Sequence, residues 1–221
     1  MRAAMLWGAG LCWAGFVVVA VLMESHRLAA FDLAGLTIWR QPGNLAVPRG
    51  AAWLAEPVRD VTALGGVLLR NFIALLAVAV LAGIGKLLAA RRLVMVVVGG
   101  WLLDVALKAA IGRTRPLVVP HLMAASGSSF PSGHSFNAAT VYVGLALVLG
   151  SLAPRGGVHK GIVVTGLVIS VLVALSRVWL GVHYPSDALA GWLGGVGWAL
   201  LMNSWPVREP GSEPVRVASG S

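Results

Sequence analysis

The 221 residues are 58% hydrophobic and 11% charged, with a mean hydropathy of +0.85. A soluble domain carries about 25% charged residues, so this chain lacks the polar surface to coat a globule in water, and lipid is its expected solvent. A net charge of +9 would suit nucleic acid in a soluble protein, but here the basic residues punctuate apolar runs, as membrane orientation and anionic headgroups require, and no nucleic-acid partner is expected. The single cysteine, Cys12, excludes an intrachain disulfide and a multi-cysteine metal site.

A bilayer core takes about 20 apolar residues of helix. The first such run is 5–23, longer than a signal-peptide core and followed by no small-residue cleavage site, so it reads as an anchor. The second is 71–88, with Lys86 close enough to its end to snorkel. Arg91 and Arg92 then begin a short connection, and 93–110, 135–152, 161–176 and 185–205 follow as spans three to six. Glycine is frequent within them, as close helix packing in lipid favours. The expected fold is all-α, an integral membrane bundle of six transmembrane helices over residues 1–205.

Residues 24–70 mix polar and apolar positions with Pro42, Pro48 and Pro57, which predicts an outer loop with short interfacial helices and Trp39 and Trp53 at headgroup level. Its charges balance: Arg27, Arg40, Arg49 and Arg59 against Glu24, Asp32, Glu56 and Asp60. The segment 206–221 is small, polar and Pro/Gly-bearing, and reads as a disordered cytoplasmic tail. Lys86, Arg91, Arg92, Arg155 and Lys160 fall in two alternate connections, with Arg2 before the first span and Arg208 and Arg216 after the last. The positive-inside rule puts these and both termini in the cytoplasm, and the remaining connections outside. Compactness and a short tail suggest a bacterial inner membrane.

Once these topology signals are subtracted, a few ionisable residues remain at the outer ends of spans three to six: Asp104, Lys108, Arg113, Arg115, His121, His134, Arg177, His183 and Asp187. Charge at membrane depth is expensive, so each is a functional candidate. Lys108 ends span three, His134 opens span four, Arg177 ends span five and His183 precedes span six, so crossing parity returns all four to one face. Lys108, Arg115 and Arg177 supply three cations, and arginine grips phosphate oxygens with a rigid fork. In the sequence PSGH, Ser132 and Gly133 offer backbone N–H groups at a helix N-terminus, a ready anion site, and His134 sits where it could protonate a leaving oxygen. His183 and Asp187 are one helical turn apart, so the carboxylate can hold one imidazole nitrogen and leave the other free to attack. Three cations and one carboxylate leave +2, matched to a phosphate dianion. This points to phosphoryl transfer through a histidine, with no metal and no cofactor.

The stretches KAAIGRTRP (Lys108 to Pro116), PSGH (Pro131 to His134) and SRVWLGVHYPSD (Ser176 to Asp187) resemble the three-part signature of the type 2 phosphatidic acid phosphatase superfamily. Every fixed position of K-x6-R-P, P-S-G-H and S-R-x5-H-x3-D is matched. The resemblance implies that His183 is a nucleophile forming a phosphohistidine, that Asp187 orients it, and that His134 protonates the leaving group and then activates water. It implies that Lys108, Arg115, Ser132, Gly133 and Arg177 hold phosphate oxygens. The substrates it implies are phosphatidylglycerol phosphate, phosphatidic acid, diacylglycerol pyrophosphate and undecaprenyl diphosphate, met at the outer membrane face. A lipid phosphotransferase using the same site, and a transporter or lipid-binding protein with a retired site, are the alternatives; oligomeric state is left open.

Other residues are expected to be structural. Asp104 is read as the partner of Lys108, four residues on. Arg113 matches no fixed position and is read either as a contact to headgroup or substrate or as an interface anchor. His26 and His121 are loop residues, His159 lies on the opposite face, Trp179 and Tyr184 pack at the interface, and Ser176 is a helix-end contact.

Overall fold

A computed structural model describes residues 2–154 and 156–205. The expected tail 206–221, including Arg208 and Arg216, and the topology residue Arg155 lie outside the described residues.

The first helix, α1 (Arg2–Glu24), carries no charge between its terminal Arg2 and Glu24, as a lipid-facing element requires. The segment after it folds into short elements: α2 (Ala29–Thr37), an antiparallel hairpin of β1 (Arg40–Gln41) and β2 (Asn44–Pro48), and α3 (Ala55–Ala63). Five longer helices follow: α4 (Val67–Gly83), α5 (Leu87–Ile111), α6 (Gly133–Leu152), α7 (Gly157–Trp179) and α8 (Pro185–Ser204). Within α6, Ala139–Val143 is wound as a π-helix.

Among the described residues four helices, α1, α5, α6 and α7, are long and apolar enough to cross a bilayer unaided, and a fifth crossing counts if Ala52–Ala63 and α4, bent by 45°, form one span. The expected sixth span does form a helix, α8, but four glycines, two tryptophans and Asp187 keep it below that level of apolarity. The physical reason is its place in the bundle. α8 packs against α1, α5, α6 and α7, so protein rather than lipid surrounds it. Its glycines face neighbours at close range: a Cβ at Gly191 would lie 2.5 Å from the Ser132 carbonyl oxygen, and one at Gly194 2.7 Å from the Phe136 ring.

Two expected boundaries shift. The helix expected at 71–88 is α4, which begins at Val67 and ends at Gly83. Gly85, at φ +75°, turns the chain at once, and Lys86 becomes the residue preceding α5 rather than the end of the second span. Arg91 and Arg92 therefore lie inside α5, not in a connection. Arginine is a good helix former, so a charge pair can mark the membrane edge without marking a helix end.

Two joints place the catalytic candidates. α5 stops at Gly112, in left-handed conformation at φ 48°, and a loop then crosses to α6. α7 and α8 meet in the tight turn 180–184, where Gly181 has φ +75° and the Val182 N–H reaches back to the Arg177 carbonyl. The outer segment closes over this turn. Buried Arg40 donates to the Trp179 carbonyl at 2.9 Å, and Gly35 of α2 presses directly on Pro185.

Candidate active site

Lys108, Arg115, Gly133, His134, Arg177 and His183 line one cavity of about 310 Å³, together with the loop 124–128. Four separate pieces of chain deliver them: the last turn of α5, the loop after it, the first turn of α6, and the end of α7 with its turn. Among the described residues of the lining there is no carboxylate, so the wall carries three cations and two imidazoles.

His183 is 1% exposed and its hydrogen bonds fix its tautomer. The Arg115 Nη1 lies 3.0 Å from Nε2. A guanidinium only donates, so Nε2 is the acceptor and the ring proton sits on Nδ1. Nδ1 lies 3.3 Å from the Ser129 Oγ and 3.6 Å from the Asp187 Oδ2, the latter too long for a hydrogen bond. Ser129 Oγ in turn donates to Asp187 Oδ2 at 2.5 Å. The direction of the chain is thus set: Nδ1–H to Ser129, Ser129 O–H to Asp187. The expected carboxylate support is present, but it reaches the ring through a hydroxyl. Burial pushes the His183 imidazole down to about 4; Asp187 pulls the other way, and Arg115 and Arg177 add to the push.

Asp187 does two further jobs. As the third residue of α8 its Oδ2 accepts the Tyr184 N–H at 2.9 Å, capping the helix, while Oδ1 accepts from Arg113 Nη1 at 2.5 Å. Arg113 is therefore neither a headgroup contact nor an interface anchor. It bridges Asp187 and Asp32, donating to Asp32 Oδ2 at 2.7 Å, with its guanidinium stacked 4.0 Å over the Tyr184 ring. Asp32, expected as a balancing loop charge, is buried on α2 and also accepts from the N–H and Oγ of Ser186, at 2.9 and 2.7 Å.

The cations are held by backbone. Arg115 donates to the carbonyls of Ser126, Gly127 and Val182, tying the loop to the α7–α8 turn. Lys108 Nζ donates to the Pro131 carbonyl, and passes over Gly133, where a Cβ would come within 3.0 Å of its Cε. Arg177, 2% exposed, donates to Thr62 Oγ1 at 2.8 Å and contacts Met123 Sδ at 3.0 Å; its Nε has no protein partner. The Gly133 and His134 N–H groups begin α6 and have no carbonyl of that helix to bond. His134 lines the cavity with its ring unbonded to protein among the described residues.

Two expectations do not match this geometry. Ser132 lies outside the cavity lining. It is fully buried, its N–H is used on the Asp187 carbonyl, and its Oγ accepts from the Ser135 N–H and Oγ, so it caps α6 and leaves Gly133 and His134 to face the cavity. Asp104 makes no ion pair with Lys108; the ion pairs among the described residues are those of Arg113 and His183. Its Oδ2 accepts instead from Asn137 at 2.9 Å, joining α5 to α6 beneath the cavity. The remaining structural assignments can be placed directly. His159 bonds the Gly150 carbonyl at the far end of α6, His121 the Pro116 carbonyl, and Ser176 the Val173 carbonyl one turn back, while His26 sits in the turn after α1 at φ 57° and Trp179 is buried.

Sequence reasoning missed Asp32, Ser129, Thr62 and Asn137, and misjudged Arg113. Signals existed for two of them: Asp32 is the one acid in the apolar run LAAFDLAGL, and Ser129 stands two residues before PSGH.

Membrane-length helices around a cationic cavity with a supported imidazole describe a membrane phosphatase. The family model of the PAP2 superfamily matches residues 73–210, and the chain belongs to that superfamily. It is 36% identical over 185 residues to phosphatidylglycerophosphatase B of Bacillus subtilis (strain 168), covering 80% of this chain and 83% of the relative. It is 42% identical over 67 residues to an undecaprenyl-diphosphatase of Sulfolobus acidocaldarius (30% and 28% covered), and 35% identical over 117 residues to a lipid A 1-phosphatase of Rhizobium etli (49% and 46% covered). The crystal structure of a transmembrane PAP2-type phosphatidylglycerolphosphate phosphatase from Bacillus subtilis superposes with a TM-score of 0.77 at 30% identity, covering 89% of this chain and 94% of that one. The protein is accordingly an integral membrane phosphatase.

Proposed function

We propose that this chain removes the terminal phosphate of a lipid phosphate or lipid diphosphate through a phosphohistidine at His183. The observation that carries the reading is the orientation of that imidazole. Its Nε2 faces the cavity beside Arg115, and its Nδ1–H is anchored through Ser129 to Asp187. Phosphate oxygens entering the cavity would draw the donors of Arg115, Arg177, Lys108 and the α6 N-terminus, and free the Nε2 lone pair from Arg115. That lone pair attacks phosphorus, a P–N bond forms, and the P–O bond to the lipid breaks. His134 gives its proton to the departing oxygen. Water then attacks phosphorus, His134 takes its proton, and the P–N bond breaks to return neutral His183 and inorganic phosphate. The positive charge on the phosphorylated ring is balanced by Asp187 behind it.

Among substrates, the names of the relatives support phosphatidylglycerol phosphate first, with undecaprenyl diphosphate and other lipid phosphates next. We place the cavity on the outer face of a bacterial inner membrane, with both termini in the cytoplasm. Lys86, Arg91, Arg92 and Lys160 lie at the opposite ends of the helices that carry the site, and the 16 residues from Arg92 to Lys108 rise about 24 Å. Phosphate release from a panel of lipid phosphates, with excess EDTA, tests the chemistry: wild type should turn over and His183→Ala should not. Equal release by both would remove His183 as nucleophile. A product phosphorylated on an added alcohol would favour transfer to an acceptor over hydrolysis.

A further inference from the structure

Asp32 lies 151 residues from His183 in sequence, outside all three motifs, yet it is buried against the turn that carries the nucleophile. It accepts from Arg113 Nη2, from the Ser186 N–H and from Ser186 Oγ, with distances of 2.7 to 2.9 Å. Arg113 donates its other terminal nitrogen, Nη1, to Asp187 Oδ1 and to Ser186 Oγ. Asp187 Oδ2 holds Ser129, and Ser129 meets the imidazole. The guanidinium is planar and stacked on Tyr184, so the two carboxylates it joins are held at a fixed separation and angle. None of these groups except His183 lines the cavity.

We infer that Asp32 and Arg113 are positioning residues of the reaction: α2 supplies a carboxylate that locks Arg113, and Arg113 locks Asp187 so that the Ser129 relay keeps His183 Nε2 pointed at phosphorus. The inference rests on His183 being the nucleophile. It gives α2 a role that a membrane-interface helix does not need. Gly35 admits Pro185 at van der Waals range, Asp32 grips Ser186 one residue on, and the exposed face of the same helix carries Phe31 and Leu33. Outer segment and catalytic turn are thus one rigid unit, and a displacement of about 1 Å at such a unit costs on the order of 100-fold in rate.

The test compares steady-state phosphate release by full-length wild type, Asp32→Asn, Arg113→Lys, Arg113→Gln, Ser129→Ala and His183→Ala in one detergent, with thermal unfolding recorded for each. Asparagine keeps the shape and one acceptor oxygen of Asp32 but not its charge. Lysine keeps the charge of Arg113 but cannot span two carboxylates. Expected results are a fall in kcat of about tenfold to 100-fold for Asp32→Asn, Arg113→Lys and Ser129→Ala, with KM within about twofold of wild type. The pH profile gives a second readout. The charged groups acting on His183 are Asp187 of α8, Arg115 of the loop and Arg177 of α7, with Lys108 of α5 and His134 of α6 in the same cavity wall and Arg113 behind Asp187. Removing the Arg113 cation favours the imidazolium, so the acid limb of Arg113→Gln should move to higher pH. Destabilisation alone would lower apparent kcat at unchanged KM by shrinking the active fraction, so rates are normalised to the folded fraction given by thermal unfolding, and it would not move that limb. Wild-type kcat in Asp32→Asn with an inactive His183→Ala overturns the positioning role while leaving the nucleophile intact. Turnover by His183→Ala removes the reading beneath it. A rise in KM with kcat unchanged would make Arg113 a substrate contact and also overturn the inference.

Discussion

Gly191→Ala should damage catalysis although Gly191 belongs to no catalytic motif and is not part of the cavity lining. A Cβ at Gly191 would stand 2.5 Å from the Ser132 carbonyl oxygen and 3.1 Å from the Ser135 Cβ. Ordinary van der Waals contact begins at 3.4 Å, so the carbonyl must retreat by about 0.9 Å. That oxygen cannot move alone. It accepts the Phe136 N–H at 2.9 Å in the first turn of α6, and the Ser132 N–H is bonded to the Asp187 carbonyl of α8. The methyl group would therefore lever the Gly133–His134 turn away from the turn carrying His183. A misplacement near 1 Å costs on the order of 100-fold in kcat, while overpacking destabilises by about 1–3 kcal/mol, partly offset by up to about 1 kcal/mol of improved helix propensity. The assay is initial-rate phosphate release on folded protein, with Gly10→Ala of α1 as control, since a Cβ there meets nothing within 4 Å. Equal kcat in wild type and Gly191→Ala would refute the claim that the α6–α8 contact sets the spacing of the two histidines.

The pH dependence follows from the burial of His183. Only the neutral imidazole has a lone pair on Nε2, and burial lowers its pKa from about 6.5 to about 4, so the acid limb of kcat/KM, corrected for ionisation of the substrate phosphate, should lie near 4. A midpoint near 6.5 would mean a solvated nucleophile. Orientation is checked with single cysteines in a Cys12→Ser background: Gly127→Cys should react with an impermeant thiol reagent from outside intact cells and Gly157→Cys should not, and the reverse pattern would invert the topology.

The helices were legible because lipid demands apolarity from any element it touches; α1, α5, α6 and α7 announce themselves. Helix ends were less legible, because hydropathy reports the edge of the membrane and hydrogen bonds set the end of the helix. Arg91 and Arg92 mark the first and lie well inside the second. α8 shows the opposite case. Its glycines depress its hydropathy because it is wrapped in protein, and the property that weakens it as a membrane signal is what lets it approach α6 closely enough to join Asp187 to Ser132.

The cavity itself was readable from parity and spacing, since Lys108, Arg115, His134, Arg177 and His183 lie at one end of their helices and in three short motifs. Its support was not, because support is made by contacts that sequence spacing does not encode. Asp104 could pair with Lys108 by the one-turn rule, but Asn137 on a different helix reaches it instead. Arg113 is two residues from Arg115 and points the other way, to carboxylates rather than to the cavity. That division has an electrostatic logic. In the mechanism proposed above the cavity takes a phosphate dianion, and a carboxylate in its wall would repel that anion at low dielectric. Asp187 is therefore set behind the imidazole, reached through Ser129, and its charge is shared with Arg113 rather than with Lys108, Arg115 or Arg177. Asp32 shares that same Arg113, so the guanidinium is answered by two carboxylates behind the imidazole rather than by groups of the cavity wall. On that proposal the arrangement leaves the three lining cations free for phosphate, and it gives a carboxylate from α2 a role at a site otherwise built from α5 to α8.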